Sequence, residues 1–364
     1  MKKKSTLYLL LFVLCTIQLH ATVRTVNTNS PSPGQFISLS DAITASANGD
    51  TIYLSGGNNG FAELNKQIVF IGTGHNPNKQ SPVVSSVSFI DLNSLLCQGS
   101  KFIGIQFGTE SFIVNVPSAI NLNVEYINCR FFSSGAFFIN STFMPALSGL
   151  SFKGCIFTGD VLSSPSSSSP PSVTISASNC VFARNSSLFV GTLCLSGPSI
   201  VLSGNLTNCQ FQYNGSGGNL PLADKANGLT VNNSIFNGVR PFIVTTNTST
   251  SASNCLSFGN TNNAFSFTTT TAALVGVNPQ YTAYNTSANP AFSYTDNYRL
   301  SATSPGKNYG TDGKDIGVYG GTFNFTMGGE PPSVPVIRAM NLQGSTTVPT
   351  GTPINVNVIS TVKP

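Results

Sequence analysis

Five cysteines recur in one short phrase, and a cysteine series can be a nucleophile set, a metal site, a disulfide framework or packing. The copies are Asn128-Cys129-Arg130-Phe131, Gly154-Cys155-Ile156-Phe157, Asn179-Cys180-Val181-Phe182 and Asn208-Cys209-Gln210-Phe211, with a looser Asn254-Cys255-Leu256-Ser257-Phe258. Asn233-Ser234-Ile235-Phe236 is a further copy in which Ser234 replaces the thiol. A ligating or reactive role would not tolerate that replacement. Zinc needs four ligands converging on one point, and these positions are spread along the chain with no histidine near them. Of the eight cysteines, Cys15 lies in the leading apolar run, so seven remain beyond it, and an odd number leaves one unpaired in a monomer. The residues read best as a column of buried thiols acting as small hydrophobes.

Other chemistry is sparse. His75 is the one histidine beyond residue 21 and stands in a Gly-, Asn- and Pro-rich turn, where a surface residue is expected and no Ser-His-Asp arrangement forms. Glycoside hydrolysis needs paired carboxylates, whereas Asp91, Glu110, Glu125, Asp160 and Asp224 are isolated. Asp312-Gly313-Lys314-Asp315 lacks the remaining ligands of a calcium loop and reads as a terminal turn. No metal and no cofactor is expected. Arg130, Lys153 and Arg184 flank successive phrases and could line one outer face, although they occupy different positions within their units. Tyr213, Tyr281 and Tyr284, with Tyr294 and Tyr298, fall in return or end segments and could stack on sugars. The candidate binding residues are therefore Arg130, Lys153, Arg184, Tyr213, Tyr281 and Tyr284.

The elements that must position these groups follow from composition and repeat. Charged residues make up 8% of the chain and Phe occurs 26 times, while Ser, Thr, Asn and Gly fill the polar positions. Helices usually face water with Glu, Lys and Arg, so this balance points to an all-β class. Met1-Lys2-Lys3-Lys4, the apolar run from Leu7 to Leu19 and Ala21 read as an export signal over residues 1–21. Lipidation at Cys15 is the lesser alternative, because Leu14 before it is not small. Without the three leading lysines, fourteen basic side chains face twelve acidic ones, which leaves no basic patch for nucleic acid. No second apolar run is long enough to span a bilayer.

From cysteine to cysteine or its replacement the phrase recurs after 26, 25, 29, 25 and 21 residues. A period of that size signals stacked units that bury their apolar faces against one another. Ahead of each phrase stands a short alternating run, such as Leu150 and Phe152 or Leu229 and Val231. Phe152 and Cys155 are three apart, so one straight strand cannot point both inward, and the chain must bend between them. At that bend stand Asn128, Gly154, Asn179, Asn208, Asn233 and Asn254, the types that best tolerate a left-handed backbone. Strand, one-residue corner, strand and variable return make one coil of a parallel β-helix. The corner asparagines admit two structural roles, a hydrogen-bonded amide ladder or a simple backbone corner. Residues 163–172, SSPSSSSPPS, read as a surface return loop.

Leu39-Ser40-Asp41-Ala42-Ile43 with Asn48-Gly49-Asp50-Thr51-Ile52-Tyr53-Leu54 resembles the opening of extracellular right-handed parallel β-helix proteins, whose architecture is that of the pectate lyases. Asp315-Ile316-Gly317-Val318-Tyr319-Gly320-Gly321 is similar to the closing segment of secreted β-helix proteins of Gram-negative bacteria. The resemblance implies a single-stranded right-handed coil stack and a secreted or outer-surface location. It assigns no activity, since lyases, glycosidases and adhesins share the fold.

The expected organisation is a signal over residues 1–21, a β-helix over 22–327 with an N-terminal helical cap beginning at Ser40 or Asp41, and a short β tail over 328–364. The expected function is non-catalytic and adhesin-like: a monomer whose lateral face binds a polysaccharide or another surface protein. The alternative is a polysaccharide lyase or glycoside hydrolase working in a lateral groove.

Overall fold

The computed structural model describes residues 21–28, 34–78, 84–92, 94–108, 113–114, 119–132, 137–139, 146–159, 161–163, 171–184, 196–213, 220–260, 262–284, 292–330, 336–343 and 355–361. The expected signal and residues 164–170 of the serine-rich return lie outside them.

The chain is an all-β parallel β-helix, as its repeat predicts. A first sheet stacks strands in parallel from Val23–Val26 through Lys101–Ile103, Ile120–Ile127, Ala146–Lys153, Ser172–Ser178 and Ser196–Thr207 to Thr269–Thr271. A second sheet of ten strands runs alongside, from Gly57–Asn58 through Arg130–Phe131, Ile156–Phe157, Val181–Arg184, Gln210–Tyr213 and Ile235–Asn237 to Leu274–Val275. Nine steps of about 4.8 Å make that sheet about 43 Å tall. A third face carries Ile113–Val114, Phe137–Ile139 and Leu162–Ser163, and lower down the pair Phe61–Glu63 and Phe89–Asp91. It joins the first sheet where the long strands Ser196–Thr207 and Leu220–Asn232 run across both.

The corner between the first and second sheets is where the sequence places it. Asn128, Asn179, Asn208, Asn233 and Asn254 all have φ between 50° and 54°, and Gly154 has φ 64°. One left-handed residue turns the strand direction and shifts its phase, so both flanking apolar sets face inward.

Inside, two aromatic ladders meet. Phe107, Phe131, Phe157, Phe182, Phe211 and Phe236 stack along the second sheet at 4.6 to 5.1 Å between ring centroids. Phe70, Phe102, Tyr126 and Phe152 stack along the first, and the two ladders touch edge to face, Phe152 on Phe157 at 5.2 Å. Above Phe152 its register column continues as Ala177, Leu206, Val231 and Ala252. Beside the corner, Cys129, Cys155, Cys180, Cys209, Ser234 and Cys255 are fully buried.

Those thiols do more than fill space. The sulfur of Cys129 donates to the carbonyl of Phe102, that of Cys155 to Tyr126 and that of Cys255 to Val231, each on the strand one coil below. Ser234 makes the corresponding local bond to Asn232 at 2.8 Å. A small residue with a donor suits the site from Cys129 upward, which explains why Ser interchanges with Cys there, while one coil below Cys129 the same column holds the buried Ile105. The six described cysteines are all free.

At the start of the chain a helix covers Leu39–Ala45, with Ser38 as its N-cap and Leu39, Ala42 and Ile43 buried. Lys66 holds its last turn, donating to the carbonyls of Ile43, Thr44 and Ser46 at 2.8 to 3.0 Å. The helix starts one to two residues before the expected point. At the other end Val336–Gln343 and Asn355–Thr361 pair as an antiparallel ribbon.

Candidate functional site

Residues 301–330 supply what the repeat does not show. This return segment leaves the top of the rod and runs back down the corner line. Asn254 donates its amide to Tyr309 O at 2.7 Å, Asn233 donates to the Thr311 hydroxyl at 3.0 Å, and Asn179 donates to both Val318 O and Gly320 O at 2.9 and 2.7 Å. Asn128 donates to Glu330 O at 3.3 Å. The corner amides thus bond the return segment instead of laddering with one another.

Gly154 interrupts the asparagine column for a steric reason. A Cβ there would stand 2.5 Å from Cε1 of Phe323 and 2.4 Å from Oδ1 of Asn128. The glycine lets the Phe323 ring lie on the corner.

The outer face of the second sheet is covered as well. In the Cys-x-Phe phrase the middle residue points outward, and Ile156, Val181, Ile235 and Leu256 are nonetheless completely buried. Phe292, Tyr298, Val318 and Phe325 pack on the lower two, Leu300 and Ile316 on the upper two. Burying an aliphatic side chain contributes roughly 1.5 to 3 kcal/mol, so these four positions hold the layer firmly. Ile156, Val181, Ile235 and Leu256 at x, interrupted by Gln210, were the available signal, because a wet face would carry polar residues throughout.

This layer decides the fate of the candidate binding residues. Tyr281 and Tyr284 lie within it, edge to face at 5.7 Å; Tyr284 accepts from Gln212 at 2.5 Å, and burial raises both phenols, Tyr284 to about 12. Tyr213 packs partly buried against the main core. Arg130 sits among the rings of Phe132, Phe292 and Tyr294 at 5.1 to 5.4 Å and donates to the Tyr294 hydroxyl at 2.9 Å. Arg184 ends its strand in register with Tyr213, and its side chain lies outside the described residues. Of the six, Lys153 alone is seen to reach an open groove.

His75 is not a surface residue: it is fully buried, its N–H bonded to Gly328 O at 3.0 Å and its Nδ1 2.9 Å from the Tyr294 hydroxyl. Gly329 makes this possible, since a Cβ there would fall 2.3 Å from the imidazole. Desolvation, reinforced by the Arg130 charge, lowers its pKa to about 3.

Between the corner line and the return segment opens a groove of about 560 Å³. One wall is Lys153, Ser178 and Thr207 from the ends of first-sheet strands, the floor is Asn179, Asn208 and Asn233, and the other wall is Thr311, Asp312, Thr322 and Phe323. Lys153 pairs with Glu125 at 2.6 Å, and Glu125 also pairs with Lys101 at 3.0 Å. Despite partial desolvation, those two lysines keep the Glu125 carboxyl below its usual range. Among the described residues Asp312 is the one carboxylate lining the groove, and its Oδ1 accepts from Lys314 N at 3.2 Å within a turn. Asn208 is almost wholly buried, and its Nδ2 has no hydrogen-bond partner among the described residues. Among the described residues no three His, Cys, Asp or Glu side chains gather as a metal site.

Fold and groove together define a parallel β-helix with a lateral cleft roofed on one side by its own C-terminal chain. No family model matches the sequence, and no curated protein matches it. Among solved structures, the chain is similar to pectate lyase Pel9A with a TM-score of 0.41 and 15% identity, over 84% of this chain and 98% of that one. It is similar to the PL6 family alginate lyase AlyGC with a TM-score of 0.30 and 13% identity, over 64% of this chain but only 38% of the other. No helix among the described residues is long and apolar enough to cross a membrane.

Proposed function

We propose that this is an extracellular, non-catalytic β-helix that binds a glycan strand in the groove beside the corner line. The carrying observation is the groove's lining: the Phe323 ring opposite a row of hydroxyl and amide groups. An apolar ring offers a stacking surface, and convergent polar groups fix orientation.

Catalysis fits this lining less well. Hydrolysis by two carboxylates needs a partner for Asp312, and the described residues of the groove supply none. Elimination with Lys153 as base would need its amine free to face the sugar, whereas that amine is engaged by Glu125 at 2.6 Å. Export through residues 1–21 and display at a Gram-negative outer surface belong to the same reading.

Titration calorimetry against neutral and acidic polysaccharides, with mass spectrometry of the mixtures, tests it. The native chain should bind one glycan class without releasing oligosaccharides, and Phe323→Ala should weaken binding at least tenfold. Unsaturated or hydrolysed fragments would replace this reading with the lyase or hydrolase one. Undiminished binding by Phe323→Ala would move the site away from the groove.

A further inference from the structure

The two ends of the rod differ. At the lower end the outer edge of Val23–Val26 is already bonded: Phe36 donates to Thr25 O at 3.0 Å and accepts from Asn27 N at 2.9 Å. Arg24 and Asp50 pair on that coil at 3.3 Å. At the upper end the last coil has Phe265 and Phe267 on the third face, Thr269–Thr271 in the first sheet and Leu274–Val275 in the second. Among the described residues its strands pair only downward, with Ser251–Ser253 and Leu256–Phe258.

The bonds show which groups are left over. Thr269 N–H donates to Thr250 O, and Thr271 O accepts from Asn254 N, so these two residues face the coil below. Alternate residues of a strand present their N–H and C=O to opposite sides, so both main-chain groups of Thr270 point off the end of the rod. Residues 268–272 are all exposed. Thr270 continues the inward column above the buried Ala252, yet it faces water. Beside it, Phe265 packs edge to face on Phe236 at 5.7 Å, Phe265 and Phe267 are only partly buried, and Val275 is 51% exposed.

An open edge of this kind is usually guarded by Lys, Pro or a bulge. Residues 268–272 read TTTTA, and no Asp, Glu, Lys, Arg or His stands between Arg240 and Asp296. One such end therefore meets another without like-charge repulsion from this coil. Head-to-tail stacking is closed off, because Phe36 already holds the lower edge of the first sheet. The upper end of a second copy has no such obstacle. A twofold rotation about the normal to the first sheet sets the two Thr269–Thr271 strands antiparallel, and opposite residues of an antiparallel pair exchange both N–H···O bonds. Thr270 has those two groups free to exchange. Because the third face and the second sheet flank the first sheet on opposite sides, the same rotation lays Leu274 and Val275 of each copy over Phe265 and Phe267 of the other.

We infer that two copies of this chain join head to head through the uppermost coil, with Thr270 paired to Thr270 of the second copy at the twofold axis. The first sheet then runs continuously through both rods, in place of the monomer expected from the sequence.

Sedimentation velocity of the full chain from micromolar to near-millimolar concentration tests this, because a small end-on contact gives modest affinity. The native chain should pass from one-copy to two-copy mass as concentration rises. Thr270→Lys and Thr270→Asp should each stay at one-copy mass, since each places like charges at the axis, whereas their equimolar mixture should recover two-copy mass. Thr270→Pro removes the outward N–H and no bond within the coil, so it should weaken association at least tenfold; it decides the matter if the charged variants fail to fold. A native chain at one-copy mass throughout overturns the inference. A dimer that all three substitutions leave intact overturns it as well, by moving the contact elsewhere.

Discussion

Asn128 gives its side-chain amide to the main-chain oxygen of Glu330, 202 residues further along the chain. That bond, with its counterparts at Asn179, Asn233 and Asn254, makes the corner line a docking rail for the return segment. One residue type thus serves two demands: the left-handed corner of each coil, and a donor for the segment that walls the groove.

The dual role separates two substitutions at Asn179. Asn179→Gly keeps the corner conformation and loses the bonds to Val318 and Gly320, for a loss of about 1 to 2 kcal/mol. Asn179→Ala loses the same bonds and adds left-handed strain, for about 2 to 4 kcal/mol in total. Urea titration ranks them, and equal stability of the two variants would show that the corner carries no backbone demand.

Gly154→Asn restores the repeat's own residue and should nevertheless destabilise the protein by about 2 kcal/mol, because its Cβ displaces the Phe323 ring. Glycan binding should weaken with it. A gain in the urea midpoint would contradict the packing described at this corner.

Acid should act through His75. Its folded pKa, about 3, lies below the ordinary 6.5, so its contribution is present above pH 6.5 and is lost as pH falls toward 3. At about 1.4 kcal/mol per unit, up to roughly 5 kcal/mol is at stake for this buried ring. His75→Gln should flatten the stability profile between pH 6.5 and 3, even where it lowers stability at neutral pH. A variant whose profile keeps the native slope would assign acid sensitivity to other groups.

The thiols should respond to alkali. Burial raises Cys97 to about 11, and Cys209 and Cys255 to about 12, against an ordinary value of 9.0. Folded pKa values above the unfolded ones mean full stability below pH 9 and progressive loss between pH 9 and 12. At pH 8 an alkylating reagent should leave Cys155, Cys209 and Cys255 of the folded protein unmodified, while urea exposes them. Peptide mapping checks this, and rapid labelling of Cys155 in the native state would break the picture of a closed core.

The amino-acid sequence alone determined the coil. Left-handed Asn at the corner, alternation on either side and the 21- to 29-residue period are local conformational demands, so each unit states them independently. The inward columns of Phe and Cys were legible for the same reason. Tertiary structure alone decided what lies outside the coil. Arg130, Tyr281 and Tyr284 look like surface groups in sequence, yet Arg130 is stacked among Phe292 and Tyr294, and Tyr281 and Tyr284 are partly buried in the layer over the second sheet. Which distant segment meets which face depends on where the chain returns, and no local pattern encodes that. The groove is a product of the same return: its floor is written in the repeat, but its second wall arrives from a hundred residues away.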